Sequence, residues 1–358
     1  KPANGGAGPS PIFICRRFRC GRKPVDPMPG ENLDWDALDR LREGFLSGAA
    51  AAGPYWESRA DLAAYDATYG ERIGWKWDAV LRELRIRGWK PAAGAAVLDW
   101  GCGSGTAGRR VVRFFGAENF SALQVHDRSA LARGYAAEAA RGAFAGLTVE
   151  PWHENEVFSG VLVVSHVLNE LSPDARTGLL ALARRAAAII WVEPGTRADS
   201  RALQQVREEL CKDFQVVAPC THAGVCGLLA DGRERDWCHH FAPPPPEIFT
   251  DGAWMKFGRR AGIDLRSLPY SFLVLDRRVG AGPPAGLSRI IGRPEHFKAF
   301  ARFLNCDAGG IAELTLQKRD DPALFKQLDR TPGPRIYRWR RNGARVEGGE
   351  PFGPEPRT

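Results

Sequence analysis

The sequence predicts an α/β protein built on a parallel sheet with crossover helices. Short runs of β-branched and aromatic residues alternate with helical segments across residues 95–194, and this alternation is typical of parallel sheets. A glycine-rich turn follows the first run, at the kind of sheet edge where ligands bind. A chain of 358 residues with 44% hydrophobic content can bury such a core and still form smaller modules. The predicted strands are Ala96–Trp100, Ala122–His126, Val161–Ser165 and Ala188–Val192.

Around this sheet the sequence predicts several further segments. Apolar spacings of three and four residues predict helices before the sheet, with Trp75 and Trp77 in the core. Tyr270–Leu275 is predicted to return to the sheet after a Cys-rich insertion at about 211–250. The expected division is a disordered basic segment (1–32), an N-terminal helical region (33–92), the sheet domain (93–279), a small β-rich domain (280–340) and a disordered tail (341–358).

The net charge of +8 lies in the two ends of the chain, while the middle is close to neutral. Basic ends on a neutral body suit contact with nucleic-acid phosphates, although Arg-rich solvated tails are an equally ordinary source of such charge. The sequence shows no secretory signal and no apolar run of membrane-spanning length. We therefore expect no membrane partner, and a bacterial cytoplasm, or a mitochondrial matrix if the source is eukaryotic.

The glycine turn predicts a binding site for S-adenosylmethionine. Glycines 101, 103 and 105 let the backbone approach a ligand without a clash from Cβ. Asp99 stands just before the first glycine, where a carboxylate suits the ammonium of a methionine better than a pyrophosphate. Asp127 ends the next strand, where its oxygens can accept from both ribose hydroxyls. NAD is the competing cofactor, because Gly103–Gly108 also fits the weak dinucleotide fingerprint. Cys102 is predicted to be a small packing residue.

The insertion carries three cysteines within nineteen residues, Cys220, Cys226 and Cys238. In a reducing compartment such a group indicates a metal site. Zinc would take these thiols and a histidine such as His222, whereas an iron–sulfur cluster would need a fourth thiolate from Cys211 or Cys306. Spacing alone does not separate the two metals, and a site without metal stays open.

Several motifs, taken in order, resemble the ribosomal small-subunit Rsm22-like family of methyltransferase-like assembly proteins. The resemblance covers about residues 33–320 and implies a class I S-adenosylmethionine-dependent methyltransferase fold, Rossmann-like, with a role in small-subunit assembly or translation. It also implies a 4Fe-4S cluster on Cys220, Cys226 and Cys238, with Cys306 as the remote fourth ligand. The motifs are Trp75-Lys76-Trp77, Val97–Gly105, Ser165–Leu171, Trp191–Thr196, the three insertion cysteines, Tyr270–Arg278 and Ile290–Pro294.

The catalytic residues are unknown from the sequence. The fourth strand is followed by His166, Asn169 and Glu170, which are candidates to face a substrate, but the prolines and the stacking aromatic of amino-directed nucleic-acid methyltransferases are missing. Two hypotheses follow: an rRNA methyltransferase, or a non-catalytic ribosome assembly factor that uses the cofactor and the metal cluster structurally. In either case the expected partners are the small ribosomal subunit and its rRNA, and outside the ribosome the chain is expected to be monomeric.

Overall fold

The computed structural model describes residues 33–47, 55–154, 156–278, 280, 282–330 and 335–353. The segment 1–32, predicted to be disordered, lies outside these residues, as do residues 354–358. Among the helices described, none is both long and apolar enough to cross a membrane.

The centre of the described chain is a mixed sheet of eight strands in the order β3-β2-β1-β4-β5-β8-β6, with β7 paired on β8. Strands β1 to β5 are parallel, and β8 runs antiparallel to β5. This arrangement confirms the predicted α/β, Rossmann-like sheet and the return of the late strand. The strands are β1 (Ala95–Trp100), β2 (Phe120–His126), β3 (Thr148–Pro151), β4 (Val161–Ser165), β5 (Ala188–Pro194), β6 (Gln215–Ala218), β7 (His240–Ala242) and β8 (Leu268–Asp276).

Helices cover both faces of the sheet, and each face has its own apolar core. Side chains of Ser129, Ser172 and Thr196 accept backbone N–H bonds at the starts of three of these helices and so fix where they begin. Trp75 and Trp77 are buried, as predicted. The helices are α1 (Trp35–Ser47), α2 (Arg59–Tyr65), α3 (Glu71–Ile86), α4 (Thr106–Phe115), α5 (Ala130–Ala143), α6 (Pro173–Ala183), α7 (Arg197–Leu210) and α8 (Gly252–Ala261).

The C-terminal domain is a closed five-stranded barrel in the order β10-β11-β13-β12-β9, with helix α9 (Pro322–Arg330) between β11 and β12. Phe303, Leu314, Leu316 and Val346 fill its interior. The strands are β9 (Ser288–His296), β10 (Phe300–Asp307), β11 (Gly310–Gln317), β12 (Ile336–Asn342) and β13 (Arg345–Pro351).

The barrel corrects the prediction of a disordered tail from residue 341. Strand β13 lies in that range, pairs with β12 and β11, and buries Val346. Gly343-Ala344 forms the hairpin turn, with Gly343 at φ +59°. Glycine at the first position of a two-residue loop is a hairpin signal because that position takes positive φ, and this glycine was present in the sequence.

A buried ion network joins the barrel to the sheet domain. Glu83 on α3 accepts from Arg87 Nε at 2.9 Å and from Arg289 on β9. Both arginines also donate to the carbonyl of Pro219, each at 2.8 Å. The three charged side chains are at most 4% exposed. Because the network draws on three separate segments, it fixes how the barrel sits on the sheet domain.

Candidate functional site

The turn after β1 has the backbone that its glycines predict. Gly101, Gly103 and Gly105 have φ values of +69°, +51° and +80°, in the left-handed region that favours glycine. A Cβ on Gly101 would lie 2.7 Å from Val167, and one on Gly105 would lie 2.8 Å from Ala136. A Cβ on Gly103 would meet only Trp56, at 3.9 Å. The turn is therefore packed on its inner side and more open at Gly103, which faces the N-terminal helical region. Cys102 in this turn is buried, as expected of a packing residue.

Asp99 lies beneath this turn and holds it in place. Its Oδ2 accepts from the Gly108 N–H at 2.8 Å, whereas its Oδ1 is buried without a partner. Burial raises the pKa of Asp99 to about 7, against the lowering effects of Gly108 and Arg109. A buried oxygen without a partner is costly unless a ligand satisfies it. This oxygen is thus ready to accept from a cationic donor.

The ends of β2 and β4 supply two further carboxylates. Asp127 accepts from the Gly103 N–H at 2.9 Å and from the Ser129 N–H at 2.8 Å, and each carboxylate oxygen keeps a second lone pair. Glu170 lies 3.7 Å from Arg128, and burial, with the charge of Asp127, raises its pKa to about 7. Together with Asp99 these groups make the edge of the sheet acidic.

A carboxylate from the N-terminal helical region lies at the start of α4. Asp66 Oδ1 accepts from Ser104 Oγ at 2.8 Å and from Thr106 Oγ1 at 2.9 Å, and both its oxygens accept from Arg109 at 2.7 Å. Free N–H groups and the helix dipole make a helix N-terminus attractive to anions. Here Asp66 accepts from side chains and not from those N–H groups, and its charge is paired with that of Arg109.

A second polar group lies at the end of β4. Lys76 Nζ is 3.1 Å from His166 Nε2, His166 Nδ1 is 3.2 Å from Ser165 Oγ, and Trp77 Nε1 donates to Ser165 Oγ at 3.0 Å. Burial lowers the pKa of Lys76 to about 7, and burial with the nearby Lys76 charge holds the pKa of His166 well below its usual value. His166 has φ +56°, a strained conformation for a residue with a side chain.

Glu193 on β5 completes this buried group. Its Oε1 accepts from Trp191 Nε1 at 2.7 Å, while its Oε2 is buried without a partner. Burial raises the pKa of Glu193 to about 8. The charges of Glu193 and Lys76 act on each other, since Glu193 counters the lowering of the Lys76 pKa.

The three candidate catalytic residues do not point to one place. His166 faces Lys76 and Ser165, Glu170 faces Arg128 and Tyr55 beside the glycine turn, and Asn169 is exposed. Lys76 and Asp66 were missed as site residues. Lys76 lies inside the Trp75–Trp77 aromatic motif, and the contacts of Asp66 are about forty residues away along the chain, so local pattern gave no signal for either.

The structure gathers the four cysteines of the predicted metal site. Burial raises the pKa of Cys238 well above its usual value, and the charges of Cys220, Cys226 and Cys306 raise it further. Cys306 comes from barrel strand β10, and Thr221 Oγ1 donates to its carbonyl at 3.2 Å. Cys211 follows α7, and its pKa is raised by burial and by the charges of Cys220 and Cys226, so it lies near two of the four. Within the described ranges, however, no group of three Cys, His, Asp or Glu side chains is placed to hold a metal ion.

Residues 77–243 match the family model for the mitochondrial small ribosomal subunit protein Rsm22. The match confirms the resemblance inferred from the motifs. This Rsm22-like segment contains the glycine turn, His166, Glu193 and the cysteines of the insertion. It ends before the barrel, so Cys306 lies outside it.

Several solved structures similar to this chain are methyltransferases. Magnesium protoporphyrin IX methyltransferase from Synechocystis PCC 6803 with bound SAM is 13% identical over 68% of this chain and 98% of its own, with a TM-score of 0.38. A SAM-dependent methyltransferase from Aquifex aeolicus is 16% identical over 42% of this chain and 87% of its own, at 0.33. Likenesses this distant leave the function to be argued from the site of the Rsm22-like segment itself. No curated protein matches the sequence significantly.

Proposed function

We propose that the Rsm22-like chain binds S-adenosylmethionine at the glycine turn and acts as a methyltransferase on small-subunit rRNA. The observation that carries the proposal is the pair of carboxylates at the turn, Asp127 and Asp99, with one Asp99 oxygen buried and left for a ligand. A ligand with a sulfonium and an ammonium suits these carboxylates. At the start of α4 the pyrophosphate of NAD would meet Arg109 already paired with Asp66, so that arginine offers no unpaired charge to favour the dinucleotide alternative.

The residues present fit this cofactor. Asp99 Oδ1 would accept from the ammonium, and the free lone pairs of Asp127 would accept from the ribose hydroxyls. Trp56 lies next to Gly103 and would exclude water from the adenosine of the bound cofactor. When bound, S-adenosylmethionine supplies an electrophilic methyl group. Lys76 and His166 are the side chains proposed to accept a proton from a substrate, because their nitrogens lie 3.1 Å apart and burial lowers the pKa of both.

The link to the small ribosomal subunit is supported by the family match over residues 77–243. The net charge of +8 also suits an RNA partner. A ribosomal substrate would approach the carboxyl edge of the sheet, since the glycine turn, His166 and Glu193 all follow or end strands at that edge.

The first test is ligand selectivity by isothermal titration calorimetry. S-adenosylmethionine and S-adenosylhomocysteine should bind, and NAD should not. Binding of NAD, or no binding of either methionine derivative, would overturn the cofactor assignment.

The second test incubates the protein and methyl-labelled cofactor with immature small subunits. Label should enter rRNA, and Lys76→Met should abolish transfer while cofactor affinity stays within about twofold; the surface variant Glu138→Gln serves as the matched control.

The second candidate function is a non-catalytic assembly factor. It is favoured by the divergence of His166, Asn169 and Glu170, which leaves no converging set of candidate side chains in the described residues. Cofactor binding without transfer to rRNA in immature subunits would select it.

We also propose that Cys220, Cys226, Cys238 and Cys306 hold a 4Fe-4S cluster. Cys226, Cys238 and Cys306 belong to one cluster of packed side chains, and the charge of Cys220 acts on Cys238, which supports the set. Anaerobically purified protein should then absorb broadly near the blue end of the visible spectrum, and a colourless sample that contains zinc would refute the cluster.

A further inference from the structure

The C-terminal barrel has the topology of an oligonucleotide-binding fold. In this fold five strands close a barrel, and nucleic acid binds across the second and third strands and the loops beside them. Here β9 to β13 close in the same order, β11 and β13 are the parallel pair, and α9 separates the third strand from the fourth. The face expected to bind is therefore formed by β10 and β11 with the adjoining part of β9.

An open cleft of about 280 Å³ lies on this face. One side is the segment 235–239 of the insertion, and the other is formed by the barrel strands. The volume falls just below the ~300–1,000 Å³ of pockets for whole drug-sized ligands, so it suits a planar ring or two. The lining includes Arg235, Trp237, His239, Arg293, Arg302 and Glu313.

Aromatic rings in fixed positions form the insertion side of the cleft. The rings of Trp237 and His239 stack at 4.7 Å with an angle of 23° between their planes. Trp237 Nε1 donates to the Gly195 carbonyl at 3.0 Å, which holds the indole just beyond the end of β5. His239 fits against the barrel because residue 292 is glycine; a Cβ there would lie 3.0 Å from the imidazole. These rings are preorganised, so a stacking ligand would not have to order them.

Three arginines and three acidic residues line the cleft, and Asp236 among the latter is paired with Arg233 at 3.0 Å. The cations proposed to meet a phosphate are Arg235 and Arg293. Arg235 and Arg293 are exposed, and Arg293 also lies over the ring of Phe241 at 4.0 Å. The carboxylates of Glu295 and Glu313 face Arg302, Glu295 in a hydrogen bond and Glu313 at 3.8 Å, so their charge is partly compensated.

A second exposed ring extends the surface beyond the cleft. Phe297, between β9 and β10, is 43% exposed and stacks on Phe300 at 4.5 Å. Arg302 lies 5.7 Å from its ring, between this loop and the cleft. Rings interleaved with cationic side chains are the pattern by which proteins bind single strands, because bases stack on the rings while phosphates meet the cations.

We propose that this cleft and Phe297 bind an unpaired stretch of RNA. Bases stack on Trp237 and Phe297, and phosphates contact Arg235 and Arg293. The proposal rests on the proposed function only for the choice of RNA as the partner, and it needs no bound cofactor. Since Trp237 is anchored at the end of β5, an RNA strand in the cleft also lies at the sheet edge that carries the glycine turn.

The test is fluorescence anisotropy with a short, unstructured, fluorescein-labelled oligoribonucleotide and the full chain without cofactor. Trp237→Ala and Phe297→Ala should each weaken binding about tenfold, since stacking of one base is worth ~1–3 kcal/mol. Arg293→Gln should reduce the salt slope of the affinity by about 0.7, the value for one lost single-strand phosphate contact. Phe249→Ala, which removes an exposed ring outside the cleft, and Arg266→Gln are the matched controls.

Several results would overturn the proposal. One is an unchanged affinity for the RNA in both the Phe297 and the Arg293 variants. These two substitutions alter exposed side chains, so the test remains valid even if Trp237→Ala unfolds the protein. Equal affinity for a duplex of the same length would contradict base stacking. Competition from an acidic peptide is a further such result. If polyglutamate displaces the RNA, and if Phe297→Ala also weakens the binding of polyglutamate, the surface would be reassigned to an acidic protein segment. Calorimetry with S-adenosylmethionine is run on the same variants. A failure of the RNA-binding proposal can therefore be told apart from a failure of the cofactor assignment.

Discussion

Replacing Glu83 with glutamine is expected to destabilise the protein by about 3–5 kcal/mol, the cost of breaking a buried ion pair by removing one partner. The carboxylate is 1% exposed and faces two guanidinium groups that are 3% and 4% exposed. Without it, Arg87 and Arg289 would remain as like charges in a buried space. Carbonyl oxygens of Val217 and Pro219 would still accept from them, but carbonyls carry no net charge.

The assay is thermal unfolding of wild type and variant. In a long chain each kcal/mol of lost stability lowers the melting midpoint by about 2 °C, so the midpoint should fall by roughly 6–10 °C. Limited proteolysis should cut the variant faster between residues 277 and 287, because the network joins the barrel to the sheet domain. Glu295→Gln, which breaks the exposed pair with Arg302, is the control and should change little.

A double variant separates charge from packing. Glu83→Leu combined with Arg289→Met removes one charge of each sign, so it should be more stable than Glu83→Gln. If Glu83→Gln melts within about 1 °C of wild type, the junction is held by apolar packing and the reasoning is refuted.

Three further predictions concern the site. Asp127→Ala should weaken S-adenosylmethionine binding by about 1.5–3 kcal/mol in titration calorimetry, because a charged acceptor for the ribose is lost; unchanged affinity would remove Asp127 from the site. Cofactor affinity should rise as the pH increases through about 7, because Asp99, whose pKa is raised to about 7, must be ionised to attract an ammonium. Asp99→Asn should flatten that profile, whereas a profile kept in this variant and lost in Glu170→Gln would assign it to Glu170. Cys306→Ser should lower bound iron and speed cleavage between residues 277 and 287, while Cys211→Ser should do neither; the reverse pattern would exchange the two assignments.

Five of the eight strands described in the sheet, β1, β2, β4, β5 and β8, could be predicted because each carries its own signal. Val161–Ser165 appears in the structure with the predicted bounds, and the other predicted strands differ by a few residues at their ends. A buried parallel strand is a continuous apolar run and needs no partner to be recognised. Strand β13 was missed because Arg345–Pro351 has only Val346 as an apolar anchor among its first residues, and Gly348 replaces the next inward side chain. Its burial depends on barrel closure, which a local pattern does not contain.

The site divides in the same way. The glycine turn was predictable because backbone positions with positive φ favour glycine. Asp127 was predictable because it directly follows a predicted strand. Asp66 and Lys76 act through partners on other segments, Asp66 with Arg109 and Lys76 with His166. Each looks like an ordinary helical residue until the chain has folded. Sequence pattern therefore predicts where a ligand lies better than which side chains complete its surroundings.

The position of Asp66 has a consequence for the protein inside a cell. ATP, NAD and other phosphorylated nucleotides share the adenosine of the proposed cofactor and would compete with it for the same edge of the sheet. Because Arg109 is already paired with both oxygens of Asp66, it offers their phosphates no unpaired charge at the start of α4. Discrimination against this class of abundant metabolites would then rest on a missing attraction, and salt would change it little because the pair is largely buried.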